Sequence, residues 1–109
     1  MNIDFFVADG EVKEWVIDLV KEKLLELYQL EKNISKARVN FKEQTESEGG
    51  TSVCEIELTI YGNSLFVHRN AASFEQAARE VMTELEERVK EQMRNQNQSF
   101  EEITSTVSV

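Results

Sequence analysis

One cysteine, Cys54, and one histidine, His68, are all that this 109-residue chain offers to a soft metal. A zinc set needs three or four such ligands, so no metal site is expected, and no internal disulfide can form. Within a β-rich run, Cys54 reads as a small buried apolar residue rather than a nucleophile. Apolar runs long enough to cross a bilayer are missing, and the start MNIDFFVADG lacks the basic residues and length of a signal peptide. A soluble, unexported, cytoplasmic protein with no membrane partner is the expectation. Glycine is scarce, and Gly49-Gly50 has neither the lysine nor the helix start that a phosphate-cradling loop requires. Carboxylates are plentiful but fall at solvent-face spacing, with no nucleophile, metal or glycine-rich loop beside them, so neither an enzyme nor a cofactor is expected. Basic charge is the last shortage: twelve Lys and Arg against twenty-one Asp and Glu give a net charge of -9. Such a balance opposes nucleic-acid binding. It does not fix how charge is distributed, and a local basic stripe can hold phosphate while the remainder repels it.

What is present suits one domain, since 40% hydrophobic residues in a chain of this length can build one core and not two. Ile3, Phe5 and Val7 alternate with Asn2, Asp4 and Phe6 as in a strand, and Asp9-Gly10 reads as the turn after it. From Glu11 to about Gln29, Val12, Trp15, Val16, Leu19, Val20, Leu27 and Leu30 recur at helical period. Lys23 falls among these apolar residues, where its stem can pack at the rim while its ammonium reaches water. Ile34 to Lys42 turns Ala37, Val39 and Phe41 inward and Lys36, Arg38, Asn40 and Lys42 outward. Glu43 to Ser52 is a polar, glycine-bearing hairpin loop. The next strand turns Cys54, Ile56, Leu58 and Ile60 inward and Glu55, Glu57, Thr59 and Tyr61 outward, which makes cross-strand Lys-Glu and Arg-Glu pairs possible.

The stretch Leu58 to Met93 is the most clearly punctuated. Gly62-Asn63 marks a hairpin turn, after which Leu65 and Val67 point inward and Phe66 and His68 outward. Ser73 and Gln76 form the Ser-x-x-Gln capping box of a second helix. Along it Phe74, Ala77, Ala78, Val81, Leu85, Val89 and Gln92 make the buried face. Arg79, Lys90 and Arg94 fall on one flank, and Glu80, Glu84, Glu87 and Glu91 on the other. Glu75 with Arg79, Glu84 with Arg88 and Glu86 with Lys90 stand at i,i+4 in the favourable order, worth roughly 0.3 to 0.5 kcal/mol each. NQNQS reads as the helix exit, with Ile103, Thr104, Thr106 and Val107 in a short strand or loose, which divides the chain into a domain over 1–96 and a polar tail over 97–109. The order is β-α-β-β-β-α: an α+β two-layer domain with a four-stranded, mostly antiparallel sheet and two helices on one face, similar in outline to double-stranded-RNA-binding domains.

GNSLFVHR running into SFEQAAREVMTELEERV resembles the closing half of the ribosome hibernation promoting factor family, also called ribosome-associated inhibitor or sigma-factor modulation proteins. Upstream, VKEWVIDLVKEKLLELYQLEKNISKARVNF is similar to that family's first helix and second strand, with Lys23, Leu24, Leu27 and Ile34 in register. The likeness runs from about Asn2 to Arg94, as in the short form of the family. It implies a domain in the decoding region of the small ribosomal subunit, its cations on ribosomal RNA and its bulk excluding messenger and transfer RNA. Lys21, Lys23, Lys32, Arg69, Arg88 and Lys90 are the RNA-binding residues it implies here. Glu26, Glu86, Glu87 and Glu91 depart from the family's pattern and would weaken phosphate contacts. The second reading is therefore a divergent acidic member that binds a protein, or a second copy of itself, through outward Tyr61, Phe66 and His68 on the open sheet face.

Overall fold

A computed structural model describes residues 1–8, 10–44 and 52–107, with the backbone alone from 96 onward. Its elements are β1 (Asn2–Val7), α1 (Glu14–Leu30), β2 (Ile34–Glu43), β3 (Ser52–Ile60), β4 (Asn63–Ala71) and α2 (Phe74–Val107). The four strands lie in the order β1-β2-β3-β4, parallel between β1 and β2 and antiparallel elsewhere. A parallel neighbour demands a crossover, which α1 provides; the antiparallel pairs need only hairpins. This is the α+β order that the sequence implies.

Strict alternation in β2 and β3 makes a sheet with one apolar face. Ala37, Val39 and Phe41 and their neighbours Cys54, Ile56 and Leu58 have no measurable exposure. Against them pack Val16, Val20, Leu24 and Leu27 of α1 and Ala77, Ala78, Val81, Leu85 and Val89 of α2, so both helices cover the same side. Phe41 and Phe74 meet edge to face with ring centroids 5.6 Å apart, joining the sheet to the first turn of α2. Cys54 is buried and its thiol is pushed up to about 12, first by desolvation and then by neighbouring Glu55. It is packing, not a nucleophile.

The caps and turns refine the sequence expectations. Ser73 accepts a hydrogen bond on Oγ from the Gln76 backbone N–H at 3.2 Å, one half of the expected capping box; the reciprocal bond from the Gln76 side chain is not formed among the described residues. The β3–β4 turn falls one residue earlier than Gly62-Asn63: Tyr61 and Gly62 have φ of 52° and 77°, and Asn63 already pairs with Ile60. Positive φ at both central residues is the type I′ form, whose twist matches that of the strands. Gly10 has φ of 85°, in keeping with a turn there, although Asp9 lies outside the described residues, as does 45–51 of the expected hairpin loop.

Three further expectations are corrected. On α1 the buried arc is rotated toward Leu24, which the apolar set omits and which is fully buried; Trp15 and Leu30 are 46% and 49% exposed. Tyr61 does not stand on the open sheet face. It occupies the turn, packs against the core and donates its hydroxyl to Glu31. Finally, α2 runs through NQNQS to Val107 with no exit and no short strand. After Gly62 the chain contains no glycine and no proline, so no residue type that forces a helix to stop is present.

Candidate nucleic-acid interface

The six candidate cations divide between two helices, a loop and an edge strand. Lys23 sits at the seam between α1 and α2, in a hollow with Leu19, Arg79, Met82, Thr83 and Glu86. Arg69 is on the helix-covered side of β4, the edge strand, and borders a second hollow with Arg79, Glu80, Thr83, Glu84 and Glu87. The two hollows share Arg79 and Thr83, so the middle of α2 forms a ridge with Lys23 on one side and Arg69 on the other. Arg88 and Lys90 continue along the same helix. Lys21 lines neither hollow, and Lys32 is held in the α1–β2 loop, its Nζ donating to Gln29 at 2.8 Å and lying 4.7 Å from the Tyr28 ring centre. Arg79 belongs to the basic flank and not to the six, yet with Thr83 it joins the two hollows and is the cation common to both. Its position beside β4 and α1 is a tertiary fact with no sequence signal.

Electrostatics on this face are balanced rather than basic. Lys23 pairs with Glu26 at 3.8 Å, Arg69 with Glu84 at 2.8 Å, Arg88 with Glu84 at 3.7 Å and Lys90 with Glu86 at 3.1 Å. Arg79 is held by Glu75 at 3.3 Å, completing the three i,i+4 pairs implied by the spacing. Lys21 makes no ion pair among the described residues. The paired cations keep 41% to 57% of their side-chain surface exposed, so each pair is worth about 0 to 1 kcal/mol. Exchanging a solvated carboxylate for a phosphate therefore has a small energetic barrier, and carboxylate repulsion of the backbone is the larger opposing effect.

A different tie anchors the far end of α1. Glu31, 7% exposed, accepts from the Asn33 backbone N–H at 2.9 Å and Asn33 Nδ2 at 2.8 Å on one carboxylate oxygen and from the Tyr61 hydroxyl on the other. Burial raises its pKa, but the donors from Tyr61 and Asn33 outweigh that and hold it below the ordinary value. The same contact pushes the Tyr61 phenol up, since the hydrogen bond to Glu31 favours the protonated form. The loop carrying Lys32 is thereby fixed to the β3–β4 turn.

Among the described residues no helix packs on the opposite side of the sheet, which is open except at Val53, 2% exposed. Phe6 and Phe66, 47% and 50% exposed, flank a shallow hollow floored by Arg38, Asn40, Glu55 and Glu57. Lys42 and Glu55 form the cross-strand ion pair at 3.3 Å. Among the described residues no group of acidic, His or Cys side chains could hold a metal, and no helix is long and apolar enough to cross a membrane.

Known proteins share this architecture. The chain resembles a ribosomal subunit interface protein from Coxiella burnetii with a TM-score of 0.74 at 13% identity, over 86% of this chain and 99% of that one. It resembles the Protein Y N-terminal domain from Thermus thermophilus with a TM-score of 0.68 at 24% identity, over 84% of this chain and 98% of that one. At these identities the likeness shows the fold alone. Comparison with curated proteins finds no match. The sequence itself fits the family model of the Sigma 54 modulation protein / S30EA ribosomal protein from residue 7 to residue 97, from the end of β1 into the late turns of α2, and the chain belongs to that family.

Proposed function

We propose that this protein is a ribosome-associated translation inhibitor of the hibernation type. It binds ribosomal RNA in the decoding region of the small subunit and excludes messenger and transfer RNA by occupying their path, with no bond made or broken. Its place of action is then the cytoplasm. The observation that carries this reading is the family match across residues 7–97, which spans nearly every element of the fold. The names of the two structural relatives, a ribosomal subunit interface protein and Protein Y, agree with it.

In this reading Lys23, Arg69, Arg88 and Lys90 leave their carboxylates for RNA phosphates, while Lys21 and Lys32 flank them. Their exposure favours the exchange. Co-sedimentation of the purified protein with small subunits and whole ribosomes, across a series of about 50 to 200 mM salt, tests it. The wild type is expected to pellet at low salt and dissociate as salt rises, and the triple reversal Lys23→Glu, Arg88→Glu, Lys90→Glu to stay in the supernatant. A wild type that never pellets removes the ribosome from the function.

The exposed Phe6 and Phe66 favour a second reading, a protein-binding module with weak ribosome affinity. Binding of that kind responds to Phe66→Ala and depends little on salt.

A further inference from the structure

We propose that the open sheet face is a contact between two copies of this chain, related by a two-fold axis parallel to the strands and passing between β2 and β3. The inference stands apart from the ribosome reading, which uses the helix-covered side.

The strand register is the basis. Across the open face the residues fall in rows: Asp4, Arg38, Glu57, Phe66 in one, and Phe6, Asn40, Glu55, His68 in the next. On either side lie Asn2, Lys36, Thr59, Ser64 and, at the far end, Lys42, Val53, Asn70. Lys36, Arg38 and Lys42 balance Asp4, Glu55 and Glu57, so a chain of net charge -9 has one broad face of no net charge. Two copies meeting through it are spared the repulsion that the net charge sets up between whole molecules.

A two-fold axis along the strands lays β1 of one copy over β4 of the other and β2 over β3, each row over itself. Arg38 then meets Glu57 of the second copy, and Glu57 meets Arg38, one pair on each side of the axis. Asn40 meets Glu55, Phe6 meets His68, Asp4 meets Phe66 and Lys36 meets Thr59, while Lys42 comes over Val53, which is already only 2% exposed within its own chain. No like charges face each other. Turning the axis across the strands instead sets Glu55 against Glu57 and Lys36 against Lys42, two like-charge contacts that disfavour that arrangement. Two sheets packed face to face ordinarily keep their strands within about 30° of each other, which this axis allows and which holds the pairs nearest the axis, Arg38 with Glu57, in contact.

Strand spacing of about 4.8 Å and a rise of about 3.3 Å per residue give a face of roughly 20 by 20 Å, or about 800 Å² buried over both copies. That is the size of a weak, reversible contact, so the dimer should appear only at high concentration.

Sedimentation velocity at concentrations up to about 1 mM, the weak end of specific association, reads it directly. The wild type should shift from monomer to dimer as concentration rises. Arg38→Glu and Glu57→Arg should each weaken the dimer more than tenfold, because each sets like charges across the axis. Mixed together, the two variants should form a heterodimer: the carboxylate introduced by Arg38→Glu meets the guanidinium introduced by Glu57→Arg, while the native Glu57 of the first variant and the native Arg38 of the second pair as before. Circular dichroism melting of each variant confirms folding; if a charge variant does not fold, Phe6→Ser at its exposed edge position should also give a monomer. A wild type monomeric throughout, single variants that dimerise like the wild type, or a mixture that stays monomeric overturns the proposal.

Discussion

At the scale of single residues, the strongest determinants are the ones that polarity alone does not mark. Glu31 is a carboxylate in a chain rich in them, yet its three hydrogen bonds close the α1–β2 loop and hold Tyr61. Its folded pKa lies below the ordinary 4.5, so its contribution to stability is present above that value and is lost as pH falls through the folded pKa. Tyr61, raised above 10.0, contributes below that value and loses its contribution as pH rises through the folded pKa. Tyr61→Phe should lower stability at neutral pH by about 1.5 to 3 kcal/mol, the worth of a hydrogen bond to a charged group, as read by urea melts. Glu31→Gln should be destabilised by a similar amount at pH 7, and its deficit against wild type should shrink toward pH 3. An equal deficit at both pH values means that the charge on Glu31 is not what holds the loop. Leu24 tests packing in the same way: fully buried, it should lose about 2 to 5 kcal/mol on truncation to Ala, whereas Trp15→Ala, half exposed, should lose much less.

Among elements, local chemistry was legible and long-range placement was not. The Ser73 cap, the alternation of β2 and β3 and the i,i+4 pairs of α2 depend on residues within a few positions of one another, and each stands as the sequence implies. The rotation of α1 does not, because Lys23 and Leu24 lie on either side of one apolar arc and only contact with α2 and the sheet decides which is buried. Glu84 likewise bridges Arg88, foreseeable at i,i+4, and Arg69, which comes from another element. The turn shifted for a related reason: Asn63 suits a turn, but pairing of Ile60 with Asn63 leaves Tyr61 and Gly62 to make it. With φ of 77° and open space where a Cβ would stand, Gly62→Ala should cost about 1 kcal/mol from backbone conformation alone, seen as a lower melting temperature with unchanged secondary structure.

For the whole molecule, the acidic total and the ribosome reading make opposite demands, and the location of the carboxylates decides how strongly they conflict. Glu86 holds Lys90, and Glu87 borders the hollow that contains Arg69 and Arg79. Neutralising Glu86, Glu87 and Glu91 to Gln leaves the helix spacing intact, takes the net charge from -9 to -6 by removing three carboxylates, and releases Lys90. If the ridge of α2 faces RNA, this variant should bind small subunits several-fold more tightly. Its affinity should also fall more steeply with salt, by roughly 0.7 to 0.9 in logarithmic slope for each additional phosphate held. Equilibrium binding to small subunits at several salt concentrations gives both quantities. Tighter binding with an unchanged slope would mean that repulsion was relieved at long range while the cations held no further phosphate, and no change in either would move the RNA-binding surface away from α2.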